Sequence, residues 1–174
     1  MKHIHISRRS FLLGSTTSLM LAACSRGTAK TAEAAAQGAS SQFDASDWRA
    51  ITEAQWEERL DPAAFRVLRK EGTERAFTSP LNNEKRKGVY VCAGCELPLF
   101  ASETKFDSGT GWPSFYDSLE GAVGTSTDYK IGYARTEYHC ARCLGHQGHV
   151  FEDGPAPTGL RYCNNGVALN FIPA

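Results

Sequence analysis

Gly88-Val89-Tyr90-Val91-Cys92-Ala93-Gly94-Cys95 is the stretch on which the fold turns. Ahead of it the pattern is helical, and from Gly88 onward it alternates with period two, as in a half-buried strand. The strand runs into a CxxC turn, which places two sulfurs on one side of a tight backbone loop. A second such turn, Cys140-Ala141-Arg142-Cys143, follows after 44 intervening residues. Two turns of this kind complete a tetrahedron of thiolates with Zn–S bonds of about 2.3 Å. Four thiolates leave no open coordination position, so a zinc ion there would be structural. The separation is longer than that of a compact zinc ribbon, so the site would pin two distant hairpins together. Two other readings are disulfides, in an oxidising compartment, and a thioredoxin-like redox pair, although no βαβ pattern surrounds either turn.

Working outward, Val89-Tyr90-Val91, residues 130–139, His149-Val150-Phe151 and residues 167–171 all read as strands, punctuated by Gly, Pro, Asp and Ser. No helix of any length is expected after Gly72. Upstream, Thr52-Glu53-Ala54-Gln55 fits a capping box, opening a short helix to about Leu60. Asp61-Pro62 restarts the helix, with Pro at the position where its missing N–H costs nothing. This second helix carries Phe65, Val67 and Leu68 near one face and stops near Gly72. The fold class is therefore mainly antiparallel β, with two short helices packed at its N-terminal edge as a lid.

Chemistry concentrates in Gly159-Leu160-Arg161-Tyr162-Cys163-Asn164-Asn165-Gly166-Val167. Cys163 has no partner at short spacing. A leftover cysteine among polar groups, in a chain with histidines elsewhere, is a candidate nucleophile; the alternative is a buried thiol acting as a small apolar residue. His146 and His149 stand three apart, and alone they could be metal ligands or structural histidines. Trp112 lies in the glycine-rich loop Asp107-Ser108-Gly109-Thr110-Gly111-Trp112-Pro113; alone it reads as core. Taken together these residues describe a pocket with an aromatic wall, one or two imidazoles, the Asn165 amide and a thiol. No phosphate-cradling, nicotinamide or flavin fingerprint is present.

The chain has 174 residues, 41% apolar and 22% charged, in the range of a soluble globular domain with extensions. Its N-terminus reads as a leader. Ser7-Arg8-Arg9-Ser10-Phe11-Leu12 begins an apolar run through Ala23 that is too short for an ordinary membrane span. Paired arginines ahead of such a run resemble a twin-arginine export signal, which handles proteins already folded. A protein folded in a reducing cytoplasm can load zinc before export, which favours the metal reading of the four cysteines. Leu21-Ala22-Ala23-Cys24 resembles a lipobox, in which Cys24 becomes an acylated N-terminus anchored to a membrane surface; ordinary cleavage nearby would leave a soluble periplasmic protein. Residues 24–46 then form a tether rich in Ala, Ser, Thr and Gly, and the folded domain spans residues 47–174. Residues 1–24 hold Lys2, Arg8 and Arg9 and no acid, leaving 16 basic against 19 acidic residues beyond them. That balance gives no basis for a nucleic-acid partner.

From about Trp48 to the C-terminus the chain resembles methionine sulfoxide reductase B. The resemblance rests on Leu68-Arg69-Lys70-Glu71-Gly72-Thr73-Glu74, both CxxC pairs, Ser108-Gly109-Thr110-Gly111-Trp112-Pro113-Ser114-Phe115, residues 146–151 with Asp153-Gly154-Pro155, and residues 157–171. It implies a small sandwich-like barrel of antiparallel sheets bound to zinc through Cys92, Cys95, Cys140 and Cys143. It also implies reduction of methionine-R-sulfoxide, mainly in oxidised proteins. Cys163 would be the nucleophile and pass through a sulfenic acid. His146, His149 and Asn165 would surround and help protonate the sulfoxide oxygen. Trp112 would wall the methyl pocket, Phe151 would shape it, and Arg161 would either lower the Cys163 pKa or hold a nearby acid.

The resemblance has departures. Many members place a resolving cysteine where this chain has Thr110, which leaves an external, thioredoxin-like thiol to reduce Cys163 directly. Gln147 stands where leucine is common and Gly166 where serine is common, each a possible source of altered pocket polarity. Two other functions fit the same residues: a zinc-pinned module that binds oxidised methionine without turnover, and a redox sensor acting through Cys163.

Overall fold

The change of period at Gly88 separates a helical face from two antiparallel sheets. The computed structural model describes residues 45–174; the expected export signal, Cys24 and all but the end of the expected tether lie outside the described residues. Three helices come first: α1 (Ala45–Ala50), α2 (Glu53–Arg59) and α3 (Pro62–Lys70). The capping box forms as expected, with Thr52 accepting from the Gln55 N–H and Gln55 reaching back to the Thr52 N–H. Asp61 makes no side-chain cap, and the stop is Glu71 in left-handed conformation rather than Gly72. On α3 the buried stripe is Ala64, Val67 and Leu68, one helical face; Phe65 stays half-exposed. No helix among the described residues is long and apolar enough to cross a membrane.

Nine strands follow. The small sheet runs β2 (Pro98–Ala101), β1 (Gly88–Cys92), β9 (Leu169–Pro173). The large one runs β3 (Lys105–Phe106), β4 (Ser114–Phe115), β8 (Arg161–Asn164), β7 (His146–Phe151), β6 (Arg135–Cys140), β5 (Val123–Asp128). Two expected strands have other bounds. The one expected over residues 130–139 begins only at Arg135, because residues 129–134 make the turn between β5 and β6. The one expected over residues 167–171 begins only at Leu169, because Gly166–Ala168 form a 3-10 turn. Cys163 therefore lies within a strand of its own, β8.

The two sheets enclose an aromatic core. Phe100 stacks on Phe115 with ring centres 4.2 Å apart, and Tyr90 meets Phe115 edge-on at 4.9 Å. Pairs of this kind each contribute about 0.5–1.5 kcal/mol beyond their buried area. The Tyr138 hydroxyl donates to Asn164 Oδ1 at 2.5 Å, so even the core's polar atom reaches under the functional strand.

The turn at Gly166–Ala168 is tied to the segment after α3. Glu74, itself buried, accepts the Gly166 N–H at 2.5 Å and the Val167 N–H at 3.1 Å on its two carboxylate oxygens. Its backbone N–H donates to Asn165 Oδ1 at 2.9 Å, and its carbonyl accepts the Trp112 indole N–H at 3.1 Å. A Cβ at position 166 would lie 1.9 Å from Ser79 Oγ and 2.6 Å from Ser79 Cβ, so this close approach requires glycine. Gly166→Ser should therefore lower urea-measured stability by about 1–3 kcal/mol through overpacking. Adding Ser79→Gly should restore at least half of that loss, apart from a few tenths of a kcal/mol for the lost cap at Leu81. Strictly additive effects in the two variants would contradict the contact.

Candidate active site and metal centre

Strand register assembles the site. On β8, Tyr162 and Asn164 turn into the molecule while Cys163 faces the other way. Cys163 is paired across the ladder with His149 on β7 and with Ser114 on β4, and Phe151 is paired with Arg161. Cross-strand partners share a face, so the thiol, the imidazole and the aromatic ring project together. Gly148 permits the tight β7–β8 contact beneath them, since a Cβ there would lie 1.9 Å from the Cys163 carbonyl oxygen.

These side chains open on a cavity of about 140 Å³, with Trp112, His149, Phe151, Cys163 and Asn165 in its wall, joined by Thr73 and Arg135. His146 and Arg161 stand behind it. His146 is buried and donates from Nδ1 to Glu137 Oε1 at 2.8 Å, while its ring lies 5.5 Å from that of His149. The second Glu137 oxygen accepts from His139 Nδ1 and from Ser126 Oγ, each at 2.9 Å. Burial pushes the Glu137 carboxyl up, but these donors outweigh it and hold it below the usual carboxylate range. The Arg161 guanidinium binds Asp153 through both oxygens at 2.8 and 2.9 Å and lies 4.3 Å above the Phe151 ring. Arg161 thus acts on the cavity through Phe151 and through its charge.

His149 Nε2 donates to Asp128 Oδ2 at 2.8 Å, and Arg135 binds the same oxygen at 2.5 Å. The Lys130 N–H, then His149 and Arg135, hold the Asp128 carboxyl well below its ordinary range. Burial lowers the His149 pKa more than Asp128 raises it. This favours the neutral imidazole, and with Nε2 donating to Asp128 the acceptor atom is Nδ1. Burial likewise raises the Cys163 thiol above its ordinary value, opposed by the Arg161 charge and by hydrogen bonds from Thr110 and Arg161. Thr110 belongs to a hydroxyl chain, with Ser108 Oγ 2.8 Å from both Thr110 Oγ1 and Ser114 Oγ. Asn165 spends its carbonyl on the Glu74 N–H and one of its two N–H groups on the Gln147 carbonyl, at 2.9 Å each. Its first role here is to hold backbone.

The four other described cysteines form one cluster. Their sulfurs all lie within 4.8 Å of one another and all are buried. Cys92 Sγ is 3.7 Å from Cys143 Sγ, and Cys95 Sγ is 3.4 Å from Cys140 Sγ. A tetrahedron with bonds of about 2.3 Å places sulfurs about 3.8 Å apart, so the set fits a closed metal site. All five described cysteines are free thiols, which removes the disulfide reading for them. The knuckles are near copies. In each, the residue after the second cysteine, Glu96 or Leu144, is left-handed and donates its N–H to the first cysteine's carbonyl. Donors also reach the sulfurs: Arg69 Nη2 to Cys143 Sγ at 3.2 Å and Gln147 Nε2 to Cys92 Sγ at 3.4 Å. Such N–H donors stabilise ligating thiolates. Gln147 and Gly166 both lie off the cavity, so neither sets its polarity. Gln147 serves the cluster, and Gly166 makes room for Ser79.

Comparison with known proteins gives the family. The SelR domain family matches residues 60–173. The chain is 55% identical over 123 residues to the peptide methionine sulfoxide reductase MsrB of Thiobacillus denitrificans, covering 70% of this chain and 93% of that one. It is 53% identical to the MsrB of Agrobacterium fabrum, over 70% and 91% of the two chains, and 54% identical to that of Methanosarcina barkeri, over 69% and 85%. The chain belongs to the SelR-domain family, that of the MsrB peptide methionine sulfoxide reductases.

The raised thiol makes a measurable statement. The rate of Cys163 alkylation by iodoacetamide, followed by peptide mass mapping, should keep rising above pH 9, the ordinary thiol value. Arg161→Met, which removes an opposing positive charge, should move the midpoint still higher. A plateau below pH 8, or a downward shift in the variant, would contradict the electrostatics.

Proposed function

We propose that the protein reduces the R epimer of methionine sulfoxide, chiefly within polypeptides, through Cys163. The observation that carries this reading is the cavity itself: a thiol paired in register with a neutral imidazole, beneath the rings of Trp112 and Phe151. A sulfoxide side chain has one apolar methyl group and one strong S–O dipole. The aromatic walls suit the methyl group, while His149 with Asp128, and Arg135, suit the polar side. The Cys163 sulfur attacks the substrate sulfur as thiolate. The proton it gives up is accepted by His149 Nδ1 and returned to the oxygen, because oxygen leaves sulfur slowly unless protonated. Methionine departs, and Cys163 keeps the oxygen as a sulfenic acid. Two external thiols then release that oxygen as water and leave as a disulfide. With Thr110 beside Cys163 and the cluster cysteines buried, no second free thiol among the described residues serves as an internal resolver. A thioredoxin-like partner supplies the electrons in this reading.

Cys92, Cys95, Cys140 and Cys143 would hold Zn²⁺. When bound, it supplies a cross-link between the β1 and β6 ends and takes no part in the chemistry. The resemblance of residues 7–12 to a twin-arginine signal and of residues 21–24 to a lipobox supports an enzyme of the cell envelope, exported by that route and lipid-anchored at Cys24. That location requires a reductant on the outer side of the membrane.

Single-turnover assays test the catalytic reading. Fully reduced protein without added reductant should yield about one methionine per chain from an R-sulfoxide peptide and none from the S epimer, consistent with one thiol per cycle. Cys163→Ser should yield none. No methionine from either epimer would favour a binding module that lacks turnover. The metal reading predicts about one zinc per chain by atomic absorption. Chelation should lower Tm by about 10 °C or more, because metal binding is folding energy in such sites. An unchanged Tm after complete metal removal would contradict a structural role.

A further inference from the structure

A second cavity, of about 210 Å³, lies beside the catalytic one, and the Trp112 side chain is common to both walls. Its floor and sides include Phe77, Lys85, Lys105 and Asp107. Phe77 is unusual on two counts. Its φ is 64°, a left-handed conformation rare for a bulky residue, and its side chain is 74% exposed. The strained backbone is held by a 2.7 Å hydrogen bond from the Phe77 N–H to the Gly111 carbonyl, at the base of the Trp112 loop. Strain of this kind persists where surrounding structure enforces it, often at ligand clamps. Here it holds an aromatic ring in solvent at the edge of a groove.

The charges in the groove are unbalanced. Neither Lys85 nor Lys105 has an ion-pair partner among the described residues. Lys105 Nζ donates to the Asn82 carbonyl at 3.0 Å and retains two more N–H groups. Burial, then the nearby Lys85, lowers the Lys105 pKa, and the charges of Asp107 and Glu84 offset this only in part. Asp107 sets one negative charge in this lining against the two lysines, and the acids close by also make local bonds. Asp107 accepts the Gly109 N–H of its own turn, and Glu84 binds Arg86 through both oxygens.

We infer that this groove receives the polypeptide flanking the oxidised methionine, with Phe77 and Trp112 under the chain and Lys85 and Lys105 selecting an acidic side chain. The argument for this occupant is continuity: the two cavities share Trp112, so a residue seated at Cys163 sends its neighbours across that ring. The complementary charge specifies which neighbours. This inference rests on the methionine sulfoxide reading of the catalytic cavity and assigns that site a sequence preference.

The test uses the full-length protein with dithiothreitol as reductant. Its substrates are capped peptides with one methionine-R-sulfoxide and Asp, Asn or Lys at each of the three positions on either side. The capped single amino acid is the control. At one or two positions Asp should exceed Asn in kcat/KM by about threefold or more at low salt, and Lys should fall below Asn. Lys85→Glu, a change at an exposed position, should reverse that order. Lys85→Met with Lys105→Met should erase it while leaving the capped amino acid unaffected. Phe77→Ser should raise KM for peptides and not for the capped amino acid. No preference at any position, or a preference that survives the double lysine variant, would overturn the inference. Failure of the wild-type protein to turn over both the peptides and the capped amino acid would overturn the catalytic reading as well.

Discussion

One buried carboxylate ties the site together. Glu74 sits between the helices and the first strand, and it takes two backbone N–H groups of the 166–168 turn on its oxygens. Charge-assisted bonds of this type are shorter and stronger than neutral ones. The same residue's backbone holds the Asn165 amide and the Trp112 indole. The aromatic wall and the segment after the nucleophile are thus fastened to one point that belongs to neither sheet. The N-terminal helices do more than cover apolar surface, because α3 leads straight into that point and packs on both β7 and the turn.

The cysteine cluster acts at a different scale. Cys92 ends the small sheet's central strand and Cys95 follows it, while Cys140 ends β6 of the large sheet and Cys143 follows that. A tetrahedral ion held by all four joins the sheets at one end. Gln147 extends that junction towards the nucleophile. It is fully buried, donates to Cys92 Sγ, and accepts from Asn164 Nδ2 at 3.4 Å. Asn164 is the residue next to Cys163. A leucine here would pack equally well in the core, but it would leave the thiolate one donor short.

Much of this was legible in the sequence, and the parts that were not have physical reasons. Paired CxxC turns and period-two alternation after Gly88 announce the β fold, and Cys163 stands out by lacking a partner. Glu74 was visible only as part of a motif, because nothing local shows that a carboxylate will bond to backbone 92 residues away. Asp128 and Glu137 were missed for the same reason. Each orients a histidine on a strand reached through a hairpin or across a ladder, and single acids in exposed-looking strands carry no signal. The strand boundaries failed where turns built largely of apolar residues and glycine sit inside alternating stretches, at residues 129–134 and at Gly166–Ala168. Gln147 and Gly166 were singled out as departures that could alter the pocket, but their contacts lie away from the cavity.

Cys163 is held as a protonated thiol by its own burial, although Arg161 and Thr110 both favour the ionised form. Peroxide oxidises thiolates far faster than thiols, so the empty site is a poor target for the oxidant whose damage it reverses. Sulfinic and sulfonic acids, the dead ends of cysteine oxidation, are reached only through an ionised or already oxidised sulfur. A small thiolate fraction at rest therefore confines exposure to these dead ends to the sulfenic acid formed during turnover.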